Sequence, residues 1–195
     1  MYFSVLLFSL LFVSELSLSY NPNFSDEIIC DNLILNGDAS LQGQHWSIKG
    51  HWARVVEPNN NLNYAFSLWK AEGKQNGFTQ ELKIEQELKG QQVTVGGWVK
   101  RKVSSQNSQG VPIIKVLFLS DSKDLIHFEL IGKGTQSNWE LLQRRITIPI
   151  NASIAHIRLM AGSNEKSRTN AEWKAYFDNI FFTKCDQALP KPGTM

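Results

Sequence analysis

Three tryptophans, Trp69, Trp98 and Trp173, stand in or beside short runs of β-forming residues, and Asn76, Lys100, His127 and Glu129 fall in or near the same runs. An indole offers a broad apolar face, while the polar side chains offer directional donors and acceptors. That combination suits a ligand with apolar faces and a hydroxylated rim, as a sugar ring has. It also suits a protein surface, where an aromatic centre sits inside a polar rim. The competing role for each tryptophan is to fill a core. Covalent catalysis has less to stand on. The chain holds no Gly-x-Ser-x-Gly elbow, no His-Glu-x-x-His and no phosphate-binding loop. A small glycosidase or lyase would need two facing carboxyl groups about 5 to 10 Å apart, for which Glu129 with Asp124 or Glu140 is the candidate pair. His45, His51, His127 and His156 lack the spacing of zinc ligands.

The elements that must hold these residues are strands. No long stretch has helical periodicity, whereas runs of β-formers recur between Gly, Asn, Ser and Pro. Strands are expected near 32–35, 45–49, 52–56, 64–69, 78–84, 92–102, 113–120, 125–131, 140–148, 154–161 and 175–183. So many short strands predict an all-β chain folded as a two-sheet sandwich. Alternation then assigns faces. Val93, Val95 and Val99 point inward, leaving Trp98 and Lys100 outward. Tyr64, Phe66 and Leu68 point inward, leaving Trp69 outward. Ile114, Val116 and Phe118 point inward, with Lys115 and Leu117 outward, and Ile126, Phe128 and Leu130 point inward, with His127 and Glu129 outward. A bulge at Gly96-Gly97 would reverse part of this.

Residues 1–19 hold an apolar run from Val5 to Val13, followed by Ser17 and Ser19, the small residues a signal peptidase prefers. The expected organisation is a signal peptide at 1–19, a lead-in at 20–30, one domain at 31–185 and a polar tail at 186–195. The apolar run is shorter than the about 20 residues a bilayer requires, so a secreted protein is expected, with no membrane insertion once the leader is removed. In an oxidising compartment Cys30 and Cys185, which flank the first and last strand-like runs, are expected to pair. The other reading is two unrelated thiols. Asn23 and Asn151 begin glycosylation triplets. The net charge is +2 and the basic residues are scattered, so no nucleic-acid footprint is present.

Two segments carry a family resemblance: NLILNGDASLQGQHW at 32–46 and AYFDNIFF at 175–182, with GFTQELKI, VTVGGWVKRK and NWELLQRRITIP between them in order. The chain resembles the jelly-roll carbohydrate-binding modules of the xylan- and β-glucan-binding type, in the galactose-binding-like superfamily. The resemblance implies a jelly-roll β-sandwich whose first and last strands are neighbours, with Trp46 and Trp139 in its core. It also implies a non-catalytic, lectin-like glycan-binding role in which a sugar stacks on Trp98 and Trp69. A structural calcium near the chain ends is implied too, with Asp38 and Asp178 as oxygen ligands and Asn36 nearby; no other cofactor is called for. Two departures are evident: Asp38-Ala39-Ser40 follows the Asn-Gly turn where the family usually has Phe-Glu, and His45 precedes Trp46 in place of Gly. The superfamily also contains protein binders, so an extracellular matrix or cell-surface interaction module with a protein partner stays open beside the glycan reading and the small-hydrolase reading.

Overall fold

The computed structural model describes residues 31–50, 53–56, 64–69, 77–103, 110–163 and 173–184. The leader, the lead-in, the tail, Cys30, Cys185, Asn23 and Asn76 lie outside the described residues, as do the side chains of Trp69 and Trp173. Ten strands are present among the described residues: β1 (Ser47–Lys49), β2 (Ala53–Val56), β3 (Ala65–Trp69), β4 (Gly77–Lys83), β5 (Gln92–Val103), β6 (Gly110–Leu119), β7 (Leu125–Lys133), β8 (Glu140–Thr147), β9 (Ile154–Ser163) and β10 (Trp173–Thr183). A single turn of 3-10 helix, Gln86–Leu88, joins β4 to β5. The strands form two five-stranded antiparallel sheets. The first has the order β1-β4-β9-β6-β7 and the second β2-β3-β10-β5-β8. This is a jelly-roll β-sandwich.

The core is what the alternation demands. Phe66, Leu68, Val95, Val99 and Phe177 of the second sheet meet Phe78, Ile114, Val116, Phe118, Ile157 and Leu159 of the first, all but withdrawn from water. Each such side chain contributes roughly 1.5–3 kcal/mol of hydrophobic stabilisation. Phe66 sits at the centre, its ring 4.9 Å from both Trp46 and Phe78. Trp46 is buried as expected, and its indole N–H donates to the Asn36 carbonyl.

The expected strand at 32–35 is absent. Leu33 donates one backbone bond to Phe182, and the Asn32 side chain bridges the Ile180 carbonyl and the Phe182 N–H. Side-chain bonding replaces a ladder there. The chain then coils through a loop in which Asn36, Ala39, Gln42 and His45 all take positive φ. His45 lies at φ 68°, so the strand expected from residue 45 starts only at Ser47. The Asn36 side chain organises this loop, donating to Gln42 and Gln44 and accepting from Leu41.

Bulges overturn the alternation expected for 125–131 and leave that of 92–102 intact. β5 runs past β8 through Gly96 and Gly97 with no shift of register. The irregularity lies instead in β10, where Asp178 pairs with Trp98 but Phe181 pairs with Gly96. One extra residue is fitted there, and Asn179 takes φ 47° to do it. In β7 the register against β6 shifts twice, near Ile126 and near Ile131. Between the two shifts the faces are exchanged. His127 and Glu129 pair with the fully buried Phe118 and Val116, so they face the other sheet, while Phe128 and Leu130 pair with Leu117 and Lys115 and turn outward. Phe128 is accordingly 51% exposed, and Leu117, though on the outer face, is covered to 9%.

Candidate functional site

The outer face of the second sheet is set by register. Rows running across it hold Thr183, Thr94 and Arg145; then Phe181, Gly96 and Gln143; then Asp178, Trp98 and Leu141; then Ser67, Tyr176 and Lys100; then Trp69, Lys174 and Lys102. These positions alternate with the core residues Val95, Val99, Ala175 and Phe177. Trp98 and Lys100 therefore share one face, as expected, and Trp69 occupies a register position in the same array. Trp98 and Lys100 are half-buried, whereas Gln143, Arg145, Lys102 and Lys174 are exposed. A partly covered aromatic centre with an amide and cations around it can stack a flat ring and hydrogen-bond its edge.

Gly96 keeps the centre of this face low. A Cβ there would stand 2.2 Å from the Leu142 carbonyl oxygen and 2.8 Å from Cζ of Phe181. Only glycine admits the Phe181 ring over the strand at this point. Tyr176, beside Lys100, is 7% exposed, and burial pushes the pKa of its hydroxyl up. It is therefore a neutral donor across the physiological range.

Other expected members go elsewhere. His127 and Glu129 stand at the open side of the sandwich between edge strands β7 and β8, where His127 Nε2 is 2.8 Å and Arg144 Nη1 2.9 Å from the Glu129 carboxylate. Arg144 pairs with the core residue Val95 and so reaches across from the second sheet. This trio ties the two edges together rather than joining Trp98. Trp173 stands one residue before Lys174 and pairs with Val103, at a position alternate to the Trp98 array. The candidate carboxylates each have other partners. Glu129 is held by His127 and Arg144, Asp124 by the Ser122 hydroxyl, and Glu140 by the backbone N–H groups of Thr135 and Gln136.

Asp38 lies near enough to Asp178 for its charge to act there, while its own Oδ1 accepts from the Ser40 N–H and hydroxyl in an Asx-type turn. Asp178 is 5% exposed; burial pushes its carboxyl up to about 7, the Asn179 N–H opposes this, and the Asp38 charge adds to the rise. Carboxylate oxygens are the hard donors that calcium takes. The Asn36 side-chain oxygen accepts from the Leu41 N–H. Among the described residues no three His, Cys, Asp or Glu side chains converge, so further ligands would be carbonyls or water.

No family model and no curated protein matches the chain. Solved structures do. The family 16 carbohydrate binding module-2 superposes with a TM-score of 0.54 at 22% identity, over 77% of this chain and 99% of that one. The C-terminal family 22 carbohydrate binding module of Clostridium thermocellum Xyn10B gives 0.53 at 12% identity, over 75% and 90%. The tandem CBM22 domain of Paenibacillus barcinonensis Xyn10C gives 0.58 at 15% identity, over 82% of this chain and 50% of that one. The chain shares the jelly-roll fold of these structures. The enzymatically active domain of a bacteriophage tailspike protein also contains it, with a TM-score of 0.54 at 17% identity, but this chain spans only 21% of that one.

Trp139, expected in the core with Trp46, lies elsewhere. It is half-buried, with the Lys100 ammonium 5.9 Å from its ring centroid. Trp139 precedes Glu140, which pairs with the core residue Val99, so alternation brings the indole to the Trp98 side. The strand expected from Glu140 already carried that parity, with Leu142 and Ile146 on the buried face. Tyr176, Gln143 and Arg145 also join the face, and only the register of three strands reveals it.

Proposed function

We propose that the chain is a secreted, non-catalytic carbohydrate-binding protein whose glycan lies across the outer face of the second sheet. The observation that carries this reading is the register placing Trp98, Lys100 and Trp69 in one array, with Trp139 against Lys100. The fold supports it, since one structure sharing it is a xylan-binding domain, at a TM-score of 0.51 and 10% identity. A sugar ring stacks on Trp98, while Gln143, Arg145 and Lys100 orient its hydroxyls. Little order is lost on docking, because the platform belongs to paired strands. A calcium ion between Asp38 and Asp178 holds the loop after residue 36 against β10, and the Cys30–Cys185 bridge ties the ends.

A glycan-array screen of the full chain tests this, with Trp98→Ala and Lys100→Ala alongside. Binding to one glycan class is expected, weakened about tenfold by loss of the Trp98 platform. A folded wild-type chain that binds no glycan refutes the reading. One observation favours contact with a protein partner instead: the outer face of the first sheet exposes Leu125, Phe128 and Leu130 at 55%, 51% and 36%.

A further inference from the structure

The first sheet carries a second polar feature, on its outer face and away from Trp98. One row there holds Ser47, Thr79, Arg158 and Lys115, and the adjoining row holds Lys49, Gly77 and Met160. Gly77 leaves a gap in its row. A Cβ there would stand 2.5 Å from the Leu159 carbonyl oxygen, so no side chain fills the space between Lys49 and Met160. The result is a small notch of about 20 Å³, lined by Lys49, Gly77, Thr79, Arg158 and Met160 among others. That is room for one water-sized group.

The charges around the notch are unbalanced. Its lining contains two cations and no carboxylate. The Nε of Arg158 is buried with no hydrogen-bond partner among the described residues, and a buried N–H without an acceptor is rare enough to call for an occupant. The carboxylate in the neighbouring row, Glu81, is already taken by His156 Nε2 at 3.0 Å, which together with the His156 charge holds its pKa down. Lys115, on the far side of Arg158, lies over the Phe128 ring at 4.3 Å. Lys49 is exposed at the mouth.

The geometry points to an oxyanion site. One oxygen of a carboxylate or sulfate group enters the notch against the Arg158 guanidinium and beside Thr79, and Lys49 neutralises the part left in solvent; Nε–H, closed to water in the unliganded chain, gains its acceptor when the guanidinium turns toward that oxygen. Guanidinium matches the plane of such groups, and charge-assisted bonds of this kind are the strong ones. Because the notch admits only one oxygen, the rest of the ligand stays outside, so the anion is either free or a substituent on a larger molecule such as an acidic polysaccharide.

The test uses the full chain, Lys49→Ala and Arg158→Gln. The Arg158 Nε–H resonance is followed by NMR as inorganic sulfate replaces chloride at constant ionic strength. Lys49 is exposed and its loss leaves the fold intact, so Lys49→Ala keeps the proposal falsifiable should Arg158→Gln fail to fold. The expected result is a saturable shift in the wild type whose midpoint moves about tenfold or more in Lys49→Ala. Affinity electrophoresis in polygalacturonate then separates the sources. Retardation lost in the variants assigns a polysaccharide carboxylate, and sulfate binding without retardation assigns a free anion. No saturable shift together with no retardation, or responses equal in wild type and variants, overturns the site. Neutral-glycan binding at the Trp98 face is unchanged in Lys49→Ala, so the two sites stand or fall separately.

Discussion

Replacing Asp178 by Asn removes a pH dependence of stability that follows from where the carboxyl is placed. Burial raises its pKa from 3.8 to about 7, against the pull of the Asn179 N–H and with help from Asp38. Between those two values the folded chain holds a proton that the unfolded chain has released. The folded state then binds more protons, so stability falls as pH rises. The contribution is whole below the unfolded pKa and is lost as pH passes through the folded one. The difference between 3.8 and about 7 corresponds to about 4 kcal/mol. Asn keeps the shape and the oxygen that accepts the Asn179 N–H at 2.7 Å, but it is neutral at every pH. Urea unfolding of both proteins in a chelator, from about pH 4 to about pH 8, reads the effect as a difference that cancels every other titrating group. The variant is expected to match the wild type near pH 4 and to exceed it by about 2 to 4 kcal/mol near pH 8. A difference that stays constant with pH refutes the assignment of this titration to Asp178.

Three further outcomes are expected. Millimolar calcium raises the melting temperature of the wild type and leaves Asp178→Asn unchanged; equal responses in thermal melts would remove the ion from this pair. Gly37→Ala drives a Cβ to 2.1 Å from the Ile180 carbonyl oxygen and strains the 2.9 Å bond from Ile180 N–H to the Gly37 carbonyl. It should cost about 2 to 4 kcal/mol, or about 10 °C in melting temperature, and a loss under about 1 kcal/mol counts against that close approach. Reduction of the native chain lowers the denaturation midpoint, by an amount approaching about 5 kcal/mol for so long a loop, and an unchanged midpoint means that Cys30 and Cys185 are not paired.

The sequence by itself determined that the chain is a sandwich. Short β-forming runs broken by turn residues leave no other way to bury Phe66, Phe118 and Phe177, and ten of the eleven expected strands are present among the described residues. It also determined the face of Trp98, because β5 stays regular across Gly96 and Gly97 and simple alternation holds along it. The exception among the strands, near 32–35, failed because the Asn32 side chain bonds the backbone of β10 in place of a ladder. What lay beyond reading was the exchange of faces in β7. A bulge is a relation between two strands, and nothing in LIHFELIGK states how it slides against β6. Tertiary structure therefore sent His127 and Glu129 to the inter-sheet edge with Arg144, put Phe128 in solvent, and brought Trp139 to Lys100. The notch at Arg158 is of the same kind, since its residues come from three strands and meet only through register. Side-chain period is written in one strand at a time, whereas a site is assembled from the offsets between strands, which packing alone decides.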